Sequence, residues 1–110
     1  MTRDLFYLTY IAECIERIES FTSEGRDAFM ADRRSQDAVL RNLELIGATV
    51  KRLSATARSN DSIGWSDIAG MRDVLAHDYL EVDLGRIWNI AKEELPGLRA
   101  AVARQLSGEQ

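Results

Sequence analysis

A chain of 110 residues with 45% hydrophobic residues, 29% charged residues and one proline has the size and balance of a single globular domain spanning 1–110, outside the disordered and collagen-like classes. Fourteen basic against eighteen acidic residues give a net charge of −4, which argues against indiscriminate binding to nucleic acid. No apolar run nears the roughly 18–20 residues that cross a bilayer, and acids interrupt the apolar N-terminal stretch "MTRDLFYLTYIAECIERIES", so no membrane association and no targeting peptide are expected and the location is expected to be cytoplasmic.

In the first segment Leu5, Leu8, Ala12, Ile15, Ile18 and Thr22 recur three or four apart, and Tyr7, Ile11, Cys14 and Phe21 widen the stripe. That period predicts an amphipathic helix, ended by Gly25. Cys14 is the sole cysteine, so no internal disulfide can form. On an apolar helix face it reads as a small buried filler rather than a reactive thiol.

A second apolar series, Val39, Leu43, Ile46, Val50 and Leu53, predicts a long helix starting near Asp32, a good N-cap residue. Between Arg33 and Arg58 six basic residues face two acids, whereas Met1 to Glu24 holds two basic residues and five acids. Either the second helix offers a locally cationic surface, or its charge is answered by the acidic first helix beside it. The stretch "SATARSNDSIG" has no apolar period and is expected to be a loop. A short third helix follows from about Trp65 through Ile68, Met71 and Leu75.

Asp83 is placed to cap a last helix in which Leu84, Ile87, Ala91, Leu95, Leu98, Val102 and Leu106 recur. Pro96 lacks the amide hydrogen that would bond the carbonyl of Lys92, so a kink or a helix restart is expected there. No stretch alternates apolar and polar residues as a half-buried strand does. The expected fold is therefore all-α: an antiparallel four-helix bundle with a kinked last helix.

"MRDVLAHDYL", residues 71–80, carries the chemistry. It contains the only histidine of the chain, His77, with Arg72 before it and Tyr79 after it. On an unbroken helix His77 falls about 140° around from Arg72, so the groups can converge only if the helix ends near Ala76 or His77. A guanidinium offers a planar fork of donors to phosphate oxygens, and an imidazole titrates near neutrality. In RNA the 2′-hydroxyl is a built-in nucleophile, so a base and a charge stabiliser suffice without a metal. One histidine cannot be base and acid at once, and a symmetric dimer with two His77 residues in one cleft would supply the second group. The plainer alternative is structural: His77 answers the last carbonyls of its helix, and Arg72 pairs with Asp67, Asp73 or Asp78. Asp73 and His77 could give two metal ligands, but no further histidine or cysteine completes such a site, so neither a metal nor any other cofactor is expected.

Beyond the motif, "QDAVLRNLELIG" (36–47), "GWSDIAGMRDVLAHDYLEVDLGRIW" (64–88) and "ELPGLRAAV" (94–102) resemble HepT-like members of the HEPN superfamily. These are the toxin halves of bacterial toxin–antitoxin pairs with a minimal nucleotidyltransferase. The family signature is an arginine, four to six residues, a histidine, any residue and a tyrosine, and Arg72, His77 and Tyr79 match it. The resemblance implies an all-helical homodimer acting as a metal-independent endoribonuclease on RNA, with Arg72 and His77 of both chains as catalytic residues lining one cleft. It implies that Asp73, in the polar position after the arginine, orients the site, and that Arg41, within the matched helix segment, guides the substrate. A cognate nucleotidyltransferase antitoxin would modify Tyr79, whose hydroxyl also helps position the substrate phosphate beforehand. The family segment Ile-Gly-Glu-Ala reads Ile46, Gly47, Ala48, Thr49 here. That missing carboxylate, with the net acidity, supports the alternative of a non-catalytic HEPN module that binds a nucleotide or a partner.

Overall fold

The computed structural model describes residues 2–59, 64, 65, 67–70 and 83–108, and the described elements are all helical. Helix α1 (Thr2–Phe21) buries Leu8, Ile11, Cys14, Ile15 and Ile18, so the expected stripe is real but narrower than the sequence suggests. Leu5 and Phe21, counted in that stripe, remain 48% and 42% exposed because they flank the seam. Thr22 closes the helix, its hydroxyl donating to the Ile18 carbonyl at 2.8 Å. Gly25 then takes φ 98°, a left-handed conformation that favours glycine.

Helix α2 (Arg26–Ala31) occupies residues to which the sequence assigned no element, and it is anchored by Phe29, 1% exposed against the Trp88 ring at 5.5 Å. Asp32 caps α3 (Arg33–Val50) as expected, accepting from the Arg34 amide at 3.1 Å and the Ser35 hydroxyl at 2.7 Å. Those bonds, the Ser35 hydroxyl foremost, hold the Asp32 carboxyl below its ordinary value. Gln36 donates to the carbonyls of Phe29 and Met30, each at 3.0 Å, tying the end of α2 to α3. Val39, Leu43, Ile46, Val50 and Leu53 are all buried, as their period requires.

Residues 55–59 correct the expected loop: they form α4 (Ala55–Ser59). Five residues cannot sustain a helix by themselves, and this turn is held from elsewhere. The Ser54 hydroxyl accepts from the Ala57 amide at 3.1 Å, while Asp4 of α1 accepts from the Ser54 amide at 3.0 Å and its hydroxyl at 2.5 Å. Asp4 is only 7% exposed. The Ser54 hydroxyl, with help from its amide, holds the Asp4 carboxyl below 3.8, against the opposing pull of burial. A depressed folded-state value means that the ionised carboxylate stabilises the fold above 3.8, and that this contribution fades as pH falls through the folded value. Asp4→Ala is expected to cost about 1–3 kcal/mol near neutrality, the cost of stranding buried donors. Urea unfolding at a series of pH values checks both the loss and its narrowing in acid.

The last helical rod begins as α5 (Leu84–Asn89), capped as expected by Asp83, which accepts from the Arg86 amide at 3.1 Å. It widens into a π turn over Ile90–Glu94 and continues as α6 (Leu95–Leu106) with Pro96 in its first turn. The Leu95 amide bonds the Ile90 carbonyl, five residues back. This wide turn is how the chain accommodates a proline ring that would otherwise crowd the Lys92 carbonyl. Ile87, Ile90, Ala91, Leu95, Leu98, Ala101 and Val102 are buried along the rod.

Helix α1 packs against both α3 and α6. Its start meets Ser54, just beyond the end of α3, and its end meets the start of α6 through Glu19 and Arg99 at 2.7 Å. Both neighbours therefore run antiparallel to α1. Residues 67–70, within the expected third helix, are helical, with Trp65 and Ala69 buried in the same core. No helix among the described residues is long and apolar enough to cross a membrane.

Candidate active site

The residues that bracket the motif are seated firmly. Ahead of it, the Ile68 amide donates to the Gly64 carbonyl at 3.1 Å, and Trp65 and Ala69 anchor the segment at 4% and 6% exposure. A Cβ on Gly64 would stand 2.9 Å from the Asp67 carboxylate, so the bare α-carbon is what lets Asp67 fold back over the turn. After the motif, the Asp83 cap and the buried Ile87 fix where the chain re-enters the core. Arg72, Asp73, His77 and Tyr79 themselves lie outside the described residues.

Arg41 is described, and it is exposed on α3. The sequence left open whether acids of α1 answer the basic stretch around it. Among the described residues no ion pair joins an arginine of that stretch to an acid of α1: Arg33 bonds Asp37 on its own helix at 3.3 Å, and Glu19 of α1 is taken by Arg99 of α6. Ala48, where the resemblance implies a carboxylate, is half-buried on the same helix.

A second cluster escaped the sequence reading. Arg3 donates to the Tyr7 hydroxyl at 3.2 Å, and Arg52, just beyond the end of α3, acts on the same phenol. The two guanidiniums, Arg52 foremost, draw the Tyr7 phenol below its ordinary value. The spacing of four between Arg3 and Tyr7 was a visible signal of a helical pair; nothing local announced Arg52. Cys14 is fully buried, and that burial pushes its thiol up, which suits the expected filler. Among the described residues no group of three His, Cys, Asp or Glu side chains could hold a metal ion.

A family model described as ribonuclease HepT-like matches residues 11–104, almost all of the helical core and the whole of the motif. The chain belongs to the HepT-like ribonuclease family. Among HepT-like relatives, a protein of Thermococcus cleftensis named "Probable ribonuclease HepT" is 42% identical over 95 residues, covering 84% of this chain and 86% of its own. A "Putative RNase" of Caldanaerobacter subterraneus is 38% identical over 109 residues, covering 94% and 95%. A Methanocaldococcus jannaschii protein named "Gamma-glutamylcyclotransferase and putative RNase" is 37% identical over 107 residues, 94% of this chain. This chain spans only 48% of that relative's length. No solved structure is a significant match. The HepT-like match takes in Arg41 and the spaced trio Arg72, His77 and Tyr79, whereas Arg3 and Tyr7 precede it.

Proposed function

We propose that this HepT-like chain is a metal-independent endoribonuclease, the toxin of a toxin–antitoxin pair, working as a homodimer of antiparallel four-helix subunits. The observation that carries the reading is the family match over 11–104, which includes Arg72, His77 and Tyr79 at the family's spacing in a chain with one histidine. One neutral His77 takes the proton of the 2′-hydroxyl, whose oxygen attacks the adjacent phosphorus. The partner protomer's imidazolium gives its proton to the departing 5′-oxygen, leaving a 2′,3′-cyclic phosphate. Arg72 meets the charge that gathers on the non-bridging oxygens, where fixed donors act most strongly. Asp73 orients the basic groups, Tyr79 helps position the substrate phosphate, and Arg41 on the exposed face of α3 guides the strand. Purified protein is expected to cleave single-stranded RNA undiminished in chelator and to show a dimeric mass in light scattering. Inhibition by chelator, or a monomer that cleaves, overturns this reading.

Ala48 in place of a glutamate, with the net charge of −4, favours one other reading: a folded dimer that binds a nucleotide or partner without cutting. A dimer inert toward every RNA offered would establish it.

The antitoxin in this proposal is a minimal nucleotidyltransferase that modifies Tyr79. An added nucleotidyl group brings a phosphodiester charge and bulk to the place where RNA phosphate must sit, so repulsion and occlusion act together. Incubation with that enzyme, magnesium and nucleoside triphosphates is expected to shift the mass of the Tyr79 peptide and to stop cleavage. Undiminished modification of Tyr79→Phe would remove the assignment.

A further inference from the structure

Two guanidinium groups come together at the start of α1 with no carboxylate between them among the described residues. Arg3 and Arg52 are exposed; Arg3 bonds the half-buried Tyr7 hydroxyl at 3.2 Å, and the Ser54–Asp4 bonds hold the turn carrying Arg52 against the same end of α1, where Arg52 acts on that phenol. Asp4, the acid beside Arg3, is committed to Ser54. Among the described residues neither arginine has a carboxylate partner. Like charges converging on a neutral oxygen repel one another, and an anion entering between them removes that repulsion. Their planar forks match phosphate oxygens in particular. The phenol, itself drawn toward ionisation here, reports that the spot favours negative charge.

The surroundings argue for a chain of phosphates rather than a single ion. Arg34 and Arg41 are exposed on α3, seven residues apart, and Arg52 follows eleven residues later, with helical backbone maintained through Lys51. Seven residues are close to two whole turns, so Arg34 and Arg41 fall on one side of α3 about 10 Å apart, and Arg52 lies in the turn beyond its C-terminal end. The Arg3–Tyr7–Arg52 cluster closes one end of that row.

We infer that Arg3 and Arg52, bridged by Tyr7, clamp a backbone phosphate of single-stranded RNA at the end of an arginine row along α3. The identity of the polyanion rests on the ribonuclease reading; the clamp itself rests on the geometry of three side chains, two of which lie outside the family match. It would hold the strand away from the cleavage chemistry and so act on affinity rather than on the reacting atoms.

The test is the salt dependence of binding to a 2′-O-methylated oligouridine, which lacks the nucleophile and stays intact, long enough to span Arg34 to Arg52. The double variant Arg3→Gln/Arg52→Gln is expected to weaken binding about three- to tenfold at low salt and to lower the steepness of log K against log salt by about 0.7, one phosphate contact. Tyr7→Phe keeps both charges but frees the forks, so it should leave the slope unchanged while weakening affinity about threefold. Circular dichroism and thermal melting confirm that each variant is folded. An unaltered slope in the double variant overturns the clamp, and so does inorganic phosphate binding as tightly as the oligomer. If the wild type binds the oligomer with the expected slope difference yet never cleaves natural RNA, the clamp stands and the ribonuclease reading falls. If it cleaves and the slopes coincide, the reverse holds.

Discussion

His77→Ala is expected to lower RNA cleavage by about 100- to 10,000-fold, the range that general acid–base participation supplies. The loss belongs at the upper end if two copies of His77 share one cleft, because a single substitution then removes base and acid together. Arg72→Ala should fall as far by a different route, leaving proton transfer in place while the phosphorane charge goes unanswered. The wild-type pH profile should be bell-shaped, since one imidazole must be neutral and its twin protonated, and its two limbs belong to the pair rather than to either residue. Single-turnover cleavage in chelator, with dimer mass and melting temperature unchanged in each variant, separates these effects from unfolding. A His77→Ala protein that keeps most of its activity would end the proposed mechanism.

Phe29→Ala is expected to destabilise the fold by about 3–5 kcal/mol, the usual cost of truncating a large buried aromatic. The ring is 1% exposed and is the one buried residue of α2, packed against Trp88 on the last helical rod. Removing it leaves a six-residue helix with little to hold it except the Gln36 bonds to the Phe29 and Met30 carbonyls. Denaturant unfolding measures the loss. A change below about 1 kcal/mol, well short of the typical core truncation, would mean that α2 contributes little to the packing.

That helix also shows why part of the fold was legible and part was not. Val39, Leu43, Ile46 and Val50 repeat over about three turns, and the structure buries every one of them. The Asp32 and Asp83 caps were readable because a capping carboxylate acts on amides two or three residues away. Helices α2 and α4 bury one residue each, Phe29 and Ala57, so no period exists for the eye to find. What stabilises α4 is Asp4, fifty residues upstream. In the proposed site, the trio Arg72, His77 and Tyr79 can be picked out as a candidate because it lies within eight consecutive residues. The Arg3–Tyr7–Arg52 cluster depends on how two helix ends meet, which is a property of the packing.

The π turn at Ile90–Glu94 gives the last helical rod one place where its length can change, in a way that its composition does not reveal. On an unbroken α-helix each residue advances the face by about 100°, and the wide turn absorbs one residue's worth of that advance between α5 and α6. Losing a single codon from this segment would let a regular helix close with everything beyond it still on its present face, whereas losing one from α6 would rotate the rest of the rod by about 100°. With a residue lost at the start of α6, Leu98 and Val102 would leave the core together, and Arg99 would turn away from Glu19. Substitutions across Lys92–Glu94, whose side chains are exposed, should pass with little notice, and a one-residue loss there should cost far less than the same loss within α6, which would be selected against as severely as a loss in the core.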